Sequence, residues 1–224
     1  MKAYFSLNNT TKEYISNTVN KTATEATYGT YSGKTGIACY GSSYNPLSKQ
    51  YIINYNVPGF TLTASAGVSI SLWFFGGVFS DSSYPCLFNL FMPNSDTWDG
   101  IGYAITVFNK GFGMSCVNNI DKGYACYAYN FDLILSNDKW YSLIMTFDPT
   151  NKIIAYLNGK SVDIFKTTKS DANINALDIT SSKNQFNIGS SFLFGNNFYG
   201  FISKVAIYNK TLSSSDVTSL FNAG

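Results

Sequence analysis

Apolar and small polar residues alternate along most of this chain. The run Val68-Ser69-Ile70-Ser71-Leu72-Trp73-Phe74-Phe75 is the clearest case and reads as a strand with one buried face. Further strand-like runs are Ala3–Leu7, Ile37–Tyr40, Tyr51–Tyr55, Cys86–Phe91, Ile101–Phe108, Phe112–Val117, Tyr124–Asn130, Trp140–Phe147, Ile153–Leu157, Val162–Thr167, Gln185–Ile188 and Tyr199–Tyr208. Turn residues separate them, and a spacing of about ten residues per strand fits a sandwich or barrel. Asn158-Gly159, between two such runs, is the pair expected of a type I′ hairpin. One segment has helical spacing. Over Leu212–Phe221, Val217, Leu220 and Phe221 share a face, Ser213 stands at the N-cap position and Asp216 follows three residues later. Residues Asn8 to Lys34 are polar and Thr-rich, and a long surface loop is expected there. No linker or repeat divides the chain, so residues 1–224 are read as one all-β domain closing on a short helix.

Composition narrows the function. The hydrophobic fraction of 45% supports a sizeable core, while only 12% of residues are charged. Asn, Ser, Thr and Tyr must therefore keep the surface wet. The 17 Tyr and 18 Phe suit pleated, half-buried surfaces, and most are assigned to the core. A net charge of +2 without a basic cluster argues against nucleic acid as a partner. No apolar run reaches the length that crosses a membrane. The N-terminus has no apolar h-region and no small-residue cleavage site, so no signal peptide is read and synthesis in the cytosol is expected.

The four cysteines, Cys39, Cys86, Cys116 and Cys126, form no C-x-x-C pair, and the chain has no His, so no zinc pattern exists. A hairpin centred near Asp121 would set Cys116 opposite Cys126 and allow a disulfide. For a cytosolic chain, four reduced thiols serving as small buried hydrophobes is the preferred alternative.

The phrases Gly33–Gly41, Val68–Trp73, Trp140–Asp148, Ala155–Lys160 and Phe198–Ser213 resemble, in order and spacing, the concanavalin A-like jelly roll, and within it the laminin-G-like modules. The resemblance covers nearly the whole chain. It implies a two-sheet antiparallel jelly-roll sandwich. Trp73 and Trp140 match its core positions, so both indoles are expected to fill the interior between the sheets. The chain departs from the family where Tyr141 replaces a frequent His, and where Ser203 and Lys204 replace acidic residues. Calcium is accordingly left unassigned. Asp148, Asn151, Asp96 and Asp99 offer oxygen ligands, but Asp148-Pro149-Thr150-Asn151 reads more simply as a turn.

Glucanases share this fold, and glycoside hydrolysis needs two facing carboxylates. The two Glu, Glu13 and Glu25, both fall in the polar N-terminal segment, and no strand alternates carboxylates. Without His, no Ser-His-Asp or Cys-His arrangement can form. No catalytic residue is assigned. Binding has better candidates. Trp98, flanked by Asp96 and Asp99, stands in a polar turn segment, where an indole stacks on a sugar face while carboxylates accept hydroxyl protons. The alternative is an indole plugging the sandwich edge or a subunit contact. Phe192, Phe194, Asn196 and Asn197 form a segment too apolar for an idle loop. Tyr127 and Tyr129 share one side of a strand and are placed to line a concave face, or to serve as ordinary core or surface Tyr.

The expected function is a non-catalytic module that recognises a glycan or glycosylated surface through loops at one rim. The charge-poor surface and the missing export signal suggest a virion surface or decoration protein. The alternative is a purely structural capsid, tail or fibre subunit that uses the fold for protein contacts. A glycosidase ranks below both.

Overall fold

A computed structural model of the chain describes residues 1–7, 28–39, 53–55, 60–76, 85–93, 100–108, 111–118, 124–130, 132–133, 135–149, 153–168, 179, 185–189 and 198–224. Strand alternation decides what is buried. In β5 (Val68–Gly76), Val68, Ile70, Leu72 and Phe74 are fully buried. Across the ladder they meet Phe147, Met145, Leu143 and Tyr141 of β10 (Trp140–Phe147), which extend the same apolar face. Around this pair a first sheet runs β12 (Lys160–Val162), β11 (Ile153–Leu157), β10, β5, β15 (Gly200–Tyr208), β3 (Lys34–Cys39), β2 (Tyr28–Tyr31). The short β1 (Ala3–Phe5) pairs with the second half of β15, beyond β3.

The second sheet runs β13 (Phe165–Thr168), β9 (Tyr124–Asn130), β8 (Gly111–Asn118), β7 (Gly100–Phe108), β6 (Cys86–Pro93), β14 (Gln185–Ile188), β4 (Ile53–Tyr55). All pairings in both sheets are antiparallel. The apolar inner faces pack together as in a jelly-roll sandwich. Rings join the sheets: Tyr103 meets Phe147 at 5.1 Å and Phe5 meets Phe186 at 6.0 Å between centroids. Where the family often carries a His, the buried Tyr141 hydroxyl accepts the Ser136 N–H at 2.8 Å.

Local signals decide several details. Asn158 and Gly159 have φ of 50° and 77°, the type I′ turn that their sequence demands. Ser213 caps α1 (Ser214–Asn222): its hydroxyl accepts the Asp216 N–H at 3.1 Å, and its own N–H reaches the Asp216 carboxylate at 3.0 Å. These bonds and Lys210, 3.1 Å away, hold the Asp216 carboxyl below its ordinary range. Val217 of the helix and Leu212 pack on Ile144 and Tyr156, on the outer face of the first sheet. Lys34 and Lys204 donate to the Gly224 carbonyl oxygen beyond the last turn, where cations suit the helix dipole.

Three expectations are corrected. Trp73 and Trp140 are not between the sheets. They alternate with Leu72, Phe74 and Tyr141, so they stand on the outer face of the first sheet, half-buried. Trp73 stacks on Phe221 of α1, 5.6 Å between centroids and 12° between planes, with the Lys34 ammonium 3.9 Å from its ring centre. Trp140 lies beside Phe75 at 5.7 Å and reaches Gly36, where a Cβ would sit 2.9 Å from its ring. Phe and Tyr rings fill the interior instead. Second, the polar stretch before Gly33 is not all loop: β2 pairs with β3 through a tight turn at Ser32 and Gly33, with φ of 49° and 77°. Third, Val162–Thr167 is not one strand. The chain breaks at Asp163 and Ile164 and crosses from the first sheet to the second, where Asn130 Nδ2 donates to Asp163 O at 2.6 Å.

Ser203 takes up a structural task. β15 is bulged between Ser203 and Ala206, with Lys204 at φ 51°. The buried Ser203 hydroxyl lies 2.7 Å from Thr35 O and 3.2 Å from Ser6 O, tying β15 to β3 and to the segment after β1.

Candidate functional site

The outward faces of the two sheets differ. On the first sheet, α1 covers one part and the rings of Trp140, Phe75 and Phe201 pack on one another over another part. That face is largely spent on structure.

On the second sheet, register aligns one residue from each strand. The row is Asn54, Asn187, Asn89, Ala104, Ser115, Tyr127, Thr167. Along the strands these positions alternate with core residues such as Leu90, Phe186, Tyr103 and Ile105, so the row belongs to the opposite face. Its middle is low, because Ala104 is flanked along β7 by Gly102 and diagonally across β8 by Gly113. At one end is β9, whose Tyr129 ring lies 6.1 Å from that of Phe165. At the other end the asparagines stand together.

Asn89 and Asn187 are 1% and 2% exposed, although they face away from the core. Asn187 Nδ2 donates to Asn89 Oδ1 at 3.3 Å. Each side-chain amide offers two donors and an acceptor with two lone pairs. Among the described residues, the Asn89 nitrogen and the Asn187 oxygen take no hydrogen bond. Exchanging the two amide orientations would leave the same surplus, one donor group and one acceptor. A buried amide without a partner costs about 1–3 kcal/mol, so these two polar atoms call for a partner beyond the described residues, from the rest of the chain or from a ligand. Neither residue is apparent in the local pattern. The only sequence signal is an Asn in the middle of two apolar strand runs, where that residue is disfavoured.

The binding residues expected from sequence distribute as follows. Tyr127 and Tyr129 stand two apart on β9, and Tyr127 occupies the register position next to Ser115 in the row. Asp96, Trp98 and Asp99 lie outside the described residues, in the connection between β6 and β7; its ends, Pro93 and Gly100, are paired. Phe192, Phe194, Asn196 and Asn197 also lie outside them, in a connection closed by the Phe198 N–H to Gly189 O bond of 2.8 Å. The two connections start from opposite ends of the antiparallel β6–β14 pair. The outer face of the second sheet runs between them. Of the residues considered for calcium, Asp148 follows β10, while Asn151, Asp96 and Asp99 are outside the described set. Among the described residues no three metal-ligating side chains cluster, and no helix is long and apolar enough to cross a membrane.

Cys116 and Cys126 face each other in register across β8 and β9, as the hairpin reading expects. Cys39 and Cys86 are free and buried, and burial pushes both thiols up to about 12. Neither is a nucleophile at neutral pH.

Residues 50–218 match the laminin-G model of the Concanavalin A-like lectin/glucanases superfamily. No curated protein matches the chain in sequence. Among solved structures, domain 4 of a GH43 extracellular arabinanase from Geobacillus stearothermophilus, in complex with arabinotriose, superposes with a TM-score of 0.63 at 18% identity, covering 98% of this chain and 97% of that one. The Botulinum neurotoxin serotype G binding domain gives 0.61 at 14% identity, covering 99% of this chain and 50% of that one. The CBM40 domain of the Ruminococcus gnavus IT-sialidase gives 0.54 at 16%, covering 83% and 96%. At these identities the likeness is one of fold.

Proposed function

Because the chain belongs to the laminin-G-like family of the concanavalin A-like lectin/glucanase superfamily, we propose that it is a non-catalytic glycan-binding module. The sugar rests on the outer face of the second sheet. The observation that carries this reading is the buried Asn89–Asn187 pair: its Asn89 nitrogen and Asn187 oxygen, unpaired among the described residues, match a hydroxyl that accepts one hydrogen bond and gives another. Several fold relatives support it: the arabinanase domain was solved with arabinotriose, and a Botulinum serotype D ligand-binding domain with N-acetylneuraminic acid. Tyr127 and Tyr129 would supply stacking surface at the β9 end. Trp98, Asp96 and Asp99 would contribute from one end of the face, and Phe192, Phe194, Asn196 and Asn197 from the other. A glycan array read with the wild type, Asn89→Ala, Asn187→Ala and Trp98→Ala tests this. Binding lost in both Asn variants, with folding retained, supports the site. Binding unchanged in both sinks it.

A second reading has its own observation. Phe165 on the edge strand β13 and Tyr199 before β15 are 55% and 49% exposed. Both rings would be covered if the chain packed as a subunit in a virion shell or fibre. A purified chain that assembles on such particles and binds no sugar would favour this reading.

A further inference from the structure

We propose that Cys116 and Cys126 form a disulfide that staples β9 to β8 when the chain folds in an oxidising milieu, while Cys39 and Cys86 stay thiols. The bond forms whether or not the second sheet carries a glycan.

Register is the ground for this. β8 and β9 pair without a break from Phe112 and Asn130 to Asn118 and Tyr124, and the ladder sets Cys116 directly opposite Cys126. Directly opposed residues of an antiparallel pair have Cα atoms about 4.5 or 5.5 Å apart, according to the hydrogen-bonding pattern. Both spacings lie inside the window of about 4.4–6.8 Å that a disulfide bridges. The ladder alone therefore brings the two residues into bonding range, with no shift of the backbone. The other two cysteines are placed differently. Cys39 is opposite Gly200 and Cys86 opposite Thr106, and both thiols are free and buried. Their burial suppresses the thiolate that disulfide exchange requires.

The position gives the bond its effect. Tyr103 of β7 stands beside Cys116 in the same row and is fully buried, so the row belongs to the inner face. On its other side Cys126 is opposite Thr168 of β13. β9 joins β13 to the rest of the sheet, so a covalent tie from β9 to β8 anchors that margin. The same tie fixes β9 at the residue before Tyr127.

The oxidant is a small disulfide such as oxidised glutathione. One cysteine thiolate attacks it, the glutathione S–S bond breaks, and one glutathione leaves as a thiol. The second cysteine thiolate then attacks the mixed disulfide, the Cys116–Cys126 bond forms, and the second glutathione leaves. The two cysteines give two electrons to glutathione, and their two protons end on the two glutathione thiols.

The test is mass spectrometry of the whole chain. Reduced, unfolded protein is refolded in parallel in a glutathione redox buffer and in dithiothreitol. The soluble, folded fractions are freed of small thiols, unfolded and alkylated. Of the four cysteines, Cys39 and Cys86 alone should be labelled after refolding in glutathione, and all four after refolding in dithiothreitol. Trypsin cuts after Lys110, Lys122 and Lys139, so the bond should appear as peptide 111–122 joined to peptide 123–139, a pair that separates on reduction. The oxidised form should melt about 5–10 °C above the reduced form, since the bond closes a loop of about ten residues in the unfolded chain. That gap should vanish in the Cys116→Ser/Cys126→Ser variant. Four labels after refolding in glutathione, a bond between any other two cysteines, or a glutathione adduct that never resolves overturns the proposal. Equal melting of the two forms, with the linked peptides present, overturns the stapling role.

Discussion

Replacing Asn187 with Leu removes the 3.3 Å bond and leaves the Asn89 amide, 1% exposed, without that partner. The stranded group costs about 1–3 kcal/mol, which in a domain of this size lowers Tm by roughly 2–12 °C. Asn89→Leu alone should cost a similar amount for the same reason. The double variant removes donors and acceptors together and exchanges two buried amides for two apolar side chains. It should be neutral or more stable than the wild type. The cycle therefore has a coupling energy of at least about 1 kcal/mol, with the double variant better than the sum of the singles. An Asn89→Ala/Asn187→Ala pair, which makes no steric demand, guards against overpacking by Leu. The assay is urea unfolding of all variants, paired with glycan titration. On the proposed reading, the double variant should fold well and bind nothing. Single costs that simply add, or a double variant that still binds, would show that the two amides do not act as a pair in the site.

Three further outcomes follow from the packing. Trp73→Ala should lose about 2–3 kcal/mol through the stack on Phe221 and raise hydrogen exchange in α1, while β7 and β8 keep their protection; loss of protection throughout the second sheet would return the indole to the core. Ser203→Ala should cost about 1–3 kcal/mol, since the Thr35 carbonyl loses its 2.7 Å donor; an unchanged urea midpoint would contradict the role given to this hydroxyl. Cys39 and Cys86 are raised from an ordinary value of 9.0 to about 12, so the fold keeps protons that the unfolded chain releases. Their contribution is intact below pH 9 and declines from pH 9 to pH 12, by about 1.4 kcal/mol per pH unit for each thiol. Unfolding midpoints at about pH 8 and about pH 10.5 should differ less in a Cys39→Ala/Cys86→Ala variant than in the wild type.

What the sequence disclosed is what is local. The capping box needs only Ser213 and Asp216, and the I′ hairpin only Asn158 and Gly159, so both could be read directly. Alternation located most strands, but it could not tell the faces of β5 apart. Both faces of that strand are apolar near its end, because the sandwich core covers one and α1 and neighbouring rings cover the other. Leu72 and Phe74 went inward, so Trp73 and Phe75 had to face outward, and assigning Trp73 to the interior by family likeness inverted the pleat. β2 was hidden because its four residues, Tyr-Gly-Thr-Tyr, show no alternation at the end of a polar stretch, and its partner strand and the Ser32-Gly33 turn supply the order. The site was the least legible part. Asn89 and Asn187 are 98 residues apart and meet only because β6 and β14 pair in one particular register. Tyr127 and Tyr129 were accessible to alternation within a single strand, and the row connects their strand to the asparagines.

The most direct test is a crystal structure of the chain soaked with the tightest glycan found on the array. The expected result is a sugar hydroxyl within hydrogen-bond distance of both Asn89 and Asn187. A sugar seated on the first sheet, or held wholly by the connections at either end with both amides untouched, would contradict it.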